Sequence, residues 1–110
     1  MLKNLQSEVL EATIQHDLSK LKQLFSVLDD ADKHFTTEQG KNLLHFISDQ
    51  KNENTLPILQ FLLDSGLNPQ AVDENYDSPM DVAKNHNNIP ALTLMKLFVY
   101  KQNQELQNYL

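Results

Sequence analysis

Four histidines are the side chains of this chain best suited to metal binding. They stand at His16, His34, His45 and His86, and no two of them have the tight spacing of a zinc motif. The sequence also contains no cysteine that would complete such a site. It therefore predicts that the protein holds no metal.

An acidic stretch, DDADKHF at residues 29–35, has the alternating carboxylates that begin many calcium-binding loops. An EF-hand loop needs glycine at its sixth position and glutamate at its twelfth. Counted from Asp30, those positions hold Phe35 and Lys41. The stretch is therefore predicted to be an exposed acidic turn.

Patterns typical of catalysis are missing from the sequence as well. There is no G-x-S-x-G element, and two glycines cannot build a phosphate-binding loop. The carboxylates fall in polar connectors, where no burial would raise a pKa. The prediction is a protein that is not an enzyme and needs no cofactor. Catalytic triads are recognised by geometry rather than by residue order, so an enzyme stays a rival hypothesis to be tested by activity assays.

Composition narrows the kind of partner. The chain has 110 residues and a net charge of −6, and all nine of its basic residues are lysine. An acidic surface without arginine argues against nucleic acids and against anionic membranes. No apolar run approaches the ~20 residues that span a bilayer, and the absence of cysteine is typical of a reducing compartment. We expect a cytoplasmic protein, with delivery into a host cell by a route without a signal peptide as the alternative.

Helical periodicity dominates the sequence. Apolar residues at Leu5, Val9 and Leu10 predict a first helix, and those of residues 18–28 predict a second one that Asp17 caps. A polar connector follows at residues 29–42. Four further helices are predicted at residues 42–50, 55–65, 78–86 and 87–110.

Start and stop residues bound these later helices. Thr55, Ser78 and Asn88 are predicted N-caps, and each is followed by a proline in the first helical turn. Gly66 follows the last apolar turn of its helix and is predicted to be the left-handed residue that ends it.

Two segments repeat along the chain. TLPILQFLL and NIPALTLMK align with a spacing of 33 residues between Pro57 and Pro90. GKNLLHFIS and YDSPMDVAK align with a spacing of 36, which places Gly40 opposite Tyr76. A unit of about 33 residues with two short helices resembles the ankyrin repeat. The resemblance implies an all-α fold, a short ankyrin-type helix-turn-helix solenoid with hairpin-like connectors. We expect one domain over residues 1–110, with repeats at about 2–35 and 36–71 and a third repeat with a C-terminal cap at about 72–110.

The departures from the ankyrin pattern carry expectations of their own. Tyr76 stands where the connecting hairpin normally has glycine, so we expect either that Asn75 takes the left-handed position or that the tip of the hairpin has a different conformation. Asn42 and Leu43 replace the usual Thr-Pro, which removes one helix start signal. His45 occupies the family's histidine position, where a structural hydrogen bond is usual, and Asp81 replaces that histidine in the next repeat.

The resemblance implies that the protein binds another protein, as an adaptor or as an inhibitor of that partner. The binding surface would be the concave face, formed by the first helix of each repeat, and the tips of the connectors, which we call the finger tips. Acids around the tips imply a partner with a basic patch. The lysine- and asparagine-rich composition is compatible with a bacterial effector-type protein. The alternative is a self-associating chain or a piece of a larger repeat array. We expect a monomer or a weak homodimer, and in a homodimer the apolar residues Leu106, Tyr109 and Leu110 would pair the helices. The residues predicted to bind the partner are Phe35, Glu38, Lys41, Phe46, Glu74, Asn75, Tyr76, Asp77 and Lys84.

Overall fold

Every element of secondary structure found is an α-helix. The computed structural model describes the backbone of residues 2–108 and the side chains of residues 5–104. Over this part of the chain there is no strand, so the predicted all-α class is confirmed. The helices are α1 (Leu2–Ile14), α2 (Leu18–Phe25), α3 (Asp30–Lys33), α4 (Leu43–Ser48), α5 (Thr55–Asp64), α6 (Pro79–Asn85) and α7 (Ile89–Asn108).

The helices pack in pairs that follow the chain. α1 contacts α2, α4 contacts α5, and α6 contacts α7. α4 also contacts both α1 and α6, while α5 contacts α7. The α4–α5 pair therefore lies in the middle of the molecule and is covered by its neighbours.

The core is centred on this middle pair. Leu44 of α4 and Leu62 of α5 are completely buried, as are several other residues of the same two helices. Phe25 of α2 meets Phe61 of α5 with ring centroids 5.2 Å apart. A helix that is covered on more than one side needs apolar residues over more than one stripe, and this explains the almost unbroken apolar sequence of α4 and α5.

Some of the predicted N-cap residues are found at the starts of helices, and others are not. The Ser78 side chain accepts from the Asp81 N–H, and Pro79 is the first residue of α6, as predicted. The prediction for Thr55 was wrong. Asn54 precedes α5 without a side-chain cap, and the Thr55 hydroxyl instead accepts from the backbone N–H of Asn52.

Asn88 lies just before α7, as predicted, but its side chain acts elsewhere. Its amide nitrogen donates to the carbonyl of Ser48 at 2.9 Å and to that of Gln50 at 2.8 Å. These acceptors lie at the end of α4, whose last carbonyls have no partner within the helix. The predicted cap of α7 is thus a side chain that closes α4 and ties it to the final helix.

Helix ends use left-handed residues, as the sequence predicts for Gly66. This glycine has φ of 98°, its N–H donates to Leu63, and the following N–H of Leu67 donates to Leu62. The same pair of hydrogen bonds ends α1 at His16 (φ 59°) and α6 at Asn87 (φ 55°). Together these are Schellman motifs.

The connector at residues 29–42 is more ordered than predicted. It contains α3, one helical turn, which begins because the Asp29 carboxylate accepts from the N–H of Asp32. A single turn is too short to give a periodic signal. Phe35, just after α3, is half-buried against the core.

No helix of the described residues is long and apolar enough to cross a membrane. The self-association predicted through Leu106, Tyr109 and Leu110 depends on side chains outside the described residues.

Candidate functional site

Two loops with the same backbone pattern precede α4 and α6. In residues 37–42, the Thr37 N–H donates to the Lys41 carbonyl at 2.9 Å, and the Gly40 N–H donates to the Thr37 carbonyl at 2.9 Å. In residues 73–78, the same bonds join Asp73 with Asp77 at 2.9 Å and Tyr76 with Asp73 at 3.0 Å. We call these the first loop and the second loop. Their equivalence follows the 36-residue spacing that aligned Gly40 with Tyr76.

The two loops need a left-handed residue at the same position. Gly40 has φ of 79° in the first loop, and Tyr76 has φ of 64° in the second. The expectation that Asn75 would take this role was wrong. The reason is the hydrogen-bond pattern of the loop, in which the Tyr76 N–H closes a turn on the Asp73 carbonyl and the next residue, Asp77, returns its carbonyl to the Asp73 N–H. A left-handed residue at position 76 is typical of such a turn. A non-glycine residue in this conformation costs roughly 1–2 kcal/mol.

The space around the backbone, rather than the dihedral angle, separates the two positions. A Cβ atom on Gly40 would stand 3.3 Å from the Cα of Asp73 and 3.4 Å from the nitrogen of Glu74. A side chain at this position would require the second loop to move by a few tenths of an ångström. Tyr76 faces no such neighbour, and 83% of its surface is exposed.

The buried Asp73 carboxylate stabilises the second loop by accepting hydrogen bonds from its backbone. Its Oδ1 accepts from the backbone N–H of Asn75 at 2.8 Å and from that of Asp77 at 3.0 Å, and only 6% of the residue is exposed. The hydrogen bond from Asp77 is the main cause that lowers the pKa of the Asp73 carboxyl below its ordinary value, against the opposing effect of burial. The second loop therefore has an ionised internal anchor.

The loops are joined to each other and to α4. The Glu74 N–H donates to the Gln39 carbonyl at 2.8 Å. His45 is buried; its Nδ1 accepts from the Asn42 N–H at 3.0 Å, so its Nε2–H is the donor to the Asp77 carbonyl at 2.8 Å. The structural hydrogen bond predicted for His45 is confirmed.

Each loop ends in a capping box. Asn42 accepts from the N–H of His45 through its side chain, so the predicted loss of a start signal at Asn42 was wrong. In the second loop Asp81 takes the reciprocal part, and its Oδ2 accepts from the N–H and the hydroxyl of Ser78. The backbone hydrogen bond from Ser78 is the main cause that lowers the pKa of Asp81, followed by the hydroxyl. Both helices thus start rigidly from the loops.

The residues predicted to bind a partner fall around these loops, and their binding role stays a prediction. Glu38 is exposed on the first loop, and Glu74, Asn75 and Tyr76 are exposed on the second. The side chains of Phe35, Lys41, Phe46 and Asp77 are half-buried, and that of Lys84 is exposed on α6. The ammonium group of Lys41 lies 5.9 Å from the ring centroid of Phe46.

The histidines of α3 and α6 make separate local contacts. The side chain of His34 contacts the Asp30 carbonyl, and that of His86 contacts the Val82 carbonyl. Across the described residues there is no group of three or more side chains that could hold a metal ion. At α3, burial and then the neighbouring Asp29 charge raise the pKa of Asp32.

Sequence reasoning missed a second surface feature, a groove between α5 and α7. Leu56, Pro57 and Gln60 line one side, and Pro90, Leu94 and Leu97 line the other. The exposed apolar residues of α7 were visible in the sequence, but their facing residues on α5 are more than thirty positions away. No family model matches the chain, and no curated protein gives a significant match to it.

Proposed function

We propose that this chain is a short ankyrin-type repeat domain that binds another protein through its two loops and the adjoining faces of α4 and α6. Adaptor and inhibitor are the two roles this surface would serve. The observation that carries the proposal is Tyr76, a large side chain that is 83% exposed in a backbone conformation that disfavours it.

The repeat interpretation is supported by three correspondences. The helix pairs contact each other in chain order. The two loops share their hydrogen-bond pattern at the spacing found in the sequence. A buried His45 bridges from one repeat to the loop of the next, as the family's histidine does.

The binding interpretation is supported by the free energy that the left-handed backbone conformation of Tyr76 costs. Strained backbone is retained where the surrounding structure enforces it, and such positions cluster at functional sites. Glycine would relieve the strain and would also suit the loop, as it does at Gly40. An exposed aromatic side chain is a frequent anchor of protein interfaces. We infer that tyrosine is kept at position 76 for a contact outside the chain.

Charge indicates the chemistry of the partner. Exposed acids lie on or just after the loops at Glu38, Glu74 and Asp81. Lysine is sparse there, at Lys41 and Lys84. An excess of negative charge attracts a basic patch and speeds its encounter. The partner we propose therefore presents an apolar pocket for Tyr76 within a lysine- or arginine-rich surface.

The proposal is tested by affinity capture from lysate of the source cells, followed by quantitative mass spectrometry. Four baits are compared: the wild type, Tyr76→Ala, Glu74→Lys, and Val27→Ser as a control. Val27 is 71% exposed and lies in the turn after α2, away from both loops.

A partner of the loops should be retained by the wild type and the control, and lost at least about tenfold with Tyr76→Ala or Glu74→Lys. The captured protein should be released by salt because its contact is partly electrostatic. A partner that all four baits retain equally would remove the loops from the binding site.

A further inference from the structure

One side of the second loop lacks the hydrogen-bond partner that the same side of the first loop has. On the first loop, the Gln39 carbonyl accepts from the Glu74 N–H of the second loop at 2.8 Å. The equivalent carbonyl of the second loop belongs to Asn75, which is exposed. Among the described residues, no backbone N–H donates to the Asn75 carbonyl. We call this side of the second loop, with Asn75, Tyr76 and Asp81, the open edge.

Asp81 stands on the open edge where the first loop has His45. The Nδ1 of His45 accepts from the N–H of its own cap, and its Nε2–H donates to the Asp77 carbonyl of the second loop. Oδ2 of Asp81 repeats the first of these contacts by accepting from the Ser78 N–H at 2.9 Å. Both hydrogen bonds from Ser78 use Oδ2, and Oδ1 has no donor within the described part of the chain. An ionised carboxylate only accepts hydrogen bonds, so a neighbour of Asp81 must bring a donor, whereas the neighbour of His45 brings a carbonyl.

The space beside Tyr76 corresponds to the place of a neighbouring backbone. A Cβ atom on Gly40 would meet the backbone of Asp73 and Glu74 in the second loop. By the equivalence of the two loops, the Cβ of Tyr76 points to where a following chain segment would lie. The described residues leave this place open, since Tyr76 is 83% exposed. A segment that is free to shift by a few tenths of an ångström can pass there and lie against the tyrosine ring.

The surroundings of the open edge are negatively charged. Glu74, Asp77 and Asp81 lie within or next to the second loop, and Lys84 on α6 is the one base whose charge favours the ionised form of Asp81. A lysine or arginine side chain would supply both the donor that Oδ1 needs and the opposite charge.

We propose that the open edge binds an extended, basic segment of the partner, which takes the place that the second loop holds on the first. A backbone N–H of this segment donates to the Asn75 carbonyl, as that of Glu74 does to Gln39. A lysine or arginine of the segment donates to Oδ1 of Asp81, and its backbone crosses the ring of Tyr76. Pairing of an extended segment with exposed backbone is a recurring mode of peptide recognition. The inference rests on the proposed function and specifies which part of the partner the loops bind.

The loops of a second copy of this chain fit the open edge poorly. If the first loop of another copy took the place of the segment, its Lys41 carbonyl would correspond to the Asp77 carbonyl that His45 contacts. That carbonyl would face the carboxylate of Asp81, and two acceptors without a proton between them repel each other. The same substitution of Asp81 for a histidine therefore favours a basic segment over a further loop of this kind.

A phage-displayed library of random peptides, selected on the immobilised whole chain, tests the inference without the natural partner. The wild type should enrich peptides that carry lysine or arginine. The dissociation constants of these peptides are then measured by fluorescence anisotropy. Asp81→Asn and Asp81→His should each raise the dissociation constant at least about fivefold, because the carboxylate is lost. Val27→Ser, a change at an exposed position away from both loops, should leave it unchanged.

Both Asp81 variants keep an acceptor for the Ser78 N–H, as His45 does for the equivalent N–H of Asn42. The start of α6 should therefore persist, and circular dichroism verifies it. Backbone pairing is tested by replacing each N–H of an enriched peptide in turn with N–CH₃. One position should weaken binding at least about threefold. NMR spectra of the isotope-labelled chain should change most at residues 73–81 when the peptide is added.

Failure to enrich any peptide overturns the proposal. Enriched peptides without basic residues, or peptides that bind both Asp81 variants as tightly as the wild type, overturn it equally. If the lysate partner is nevertheless lost with Tyr76→Ala, the loops remain the binding site and only the basic segment is refuted. A lysate partner that Tyr76→Ala retains refutes the proposed function itself. Self-association of the chain that an enriched peptide abolishes would assign the open edge to a second copy and would also overturn the proposal.

Discussion

At the scale of the residue, Tyr76 and Gly40 are different residue types at equivalent positions of their loops. Both hold a left-handed conformation at equivalent positions of their loops. Gly40 is explained by its positive φ together with the close approach of Asp73, whose backbone would have to shift to admit a side chain. Tyr76 has room, so no packing within the described residues accounts for a tyrosine there. This contrast is the basis for proposing an external contact.

Local reasoning assigned the left-handed position to Asn75 because asparagine tolerates positive φ better than tyrosine does. The register of the second loop is fixed instead by hydrogen bonds to Asp73 and by the bond between Glu74 and Gln39. The second of these joins residues 35 positions apart, so propensity alone could not reveal it.

Asp73 makes the second loop sensitive to acid. Its folded pKa lies below its ordinary value of 3.8, so the unfolded chain binds a proton first as pH falls. The stabilisation is therefore fully present above about pH 4 and is lost as pH drops through the folded pKa. Asp73→Asn should be less stable than the wild type at pH 7, with a difference that shrinks towards pH 3. Urea unfolding at several pH values measures it, and a difference that does not change with pH would refute this role of the carboxylate.

At the scale of the element, the most predictable features were helix starts and ends that depend on residues of the same helix. Ser78 with Pro79 starts α6 and Gly66 ends α5, as the sequence indicates, because each signal acts through the backbone of its own helix. Caps that serve a different helix could not be predicted. Asn88 is the example, since its amide closes α4 forty residues earlier.

The helix ends predict opposite effects of two substitutions. Gly66→Ala keeps ordinary contact distances, with the new Cβ 3.5 Å from His34, so its cost of about 1 kcal/mol comes from positive φ. Asn87→Gly at the equivalent end of α6 should gain about 0.5 kcal/mol. Thermal unfolding of both variants shows whether each substitution lowers or raises the stability. A neutral Gly66→Ala, or an Asn87→Gly that loses stability, would contradict the left-handed ends.

At the scale of the whole molecule, the middle pair of helices should control stability. Leu44 and Leu62 are completely buried between neighbouring helices, as the repeat interpretation expects. Leu44→Ala and Leu62→Ala should each lower the free energy of unfolding by about 2–5 kcal/mol. Leu56→Ala, on the half-exposed side of α5, is the matched control and should cost under about 1 kcal/mol. Urea melts that place both core variants within about 1 kcal/mol of the wild type would show that the core lies elsewhere.

The overall arrangement was more accessible to sequence analysis than its surface. Repeated caps and prolines at a spacing of 33 or 36 residues indicate helix pairs. The groove between α5 and α7 appears only when these two helices lie side by side, because the exposed apolar residues of α7 do not reveal which residues of α5 face them. The same holds for the joined loops, which depend on contacts between segments more than thirty residues apart.

The measurement that tests the account most directly compares the stability and the partner affinity of Tyr76→Gly. Glycine relieves the left-handed strain, so the variant should be about 1 kcal/mol more stable than the wild type in urea. It also removes the aromatic side chain, so its dissociation constant for the partner captured by the loops should rise at least about tenfold. A variant that is more stable and binds more weakly is the predicted result. A variant that binds as tightly as the wild type would contradict the proposal that Tyr76 is kept for recognition.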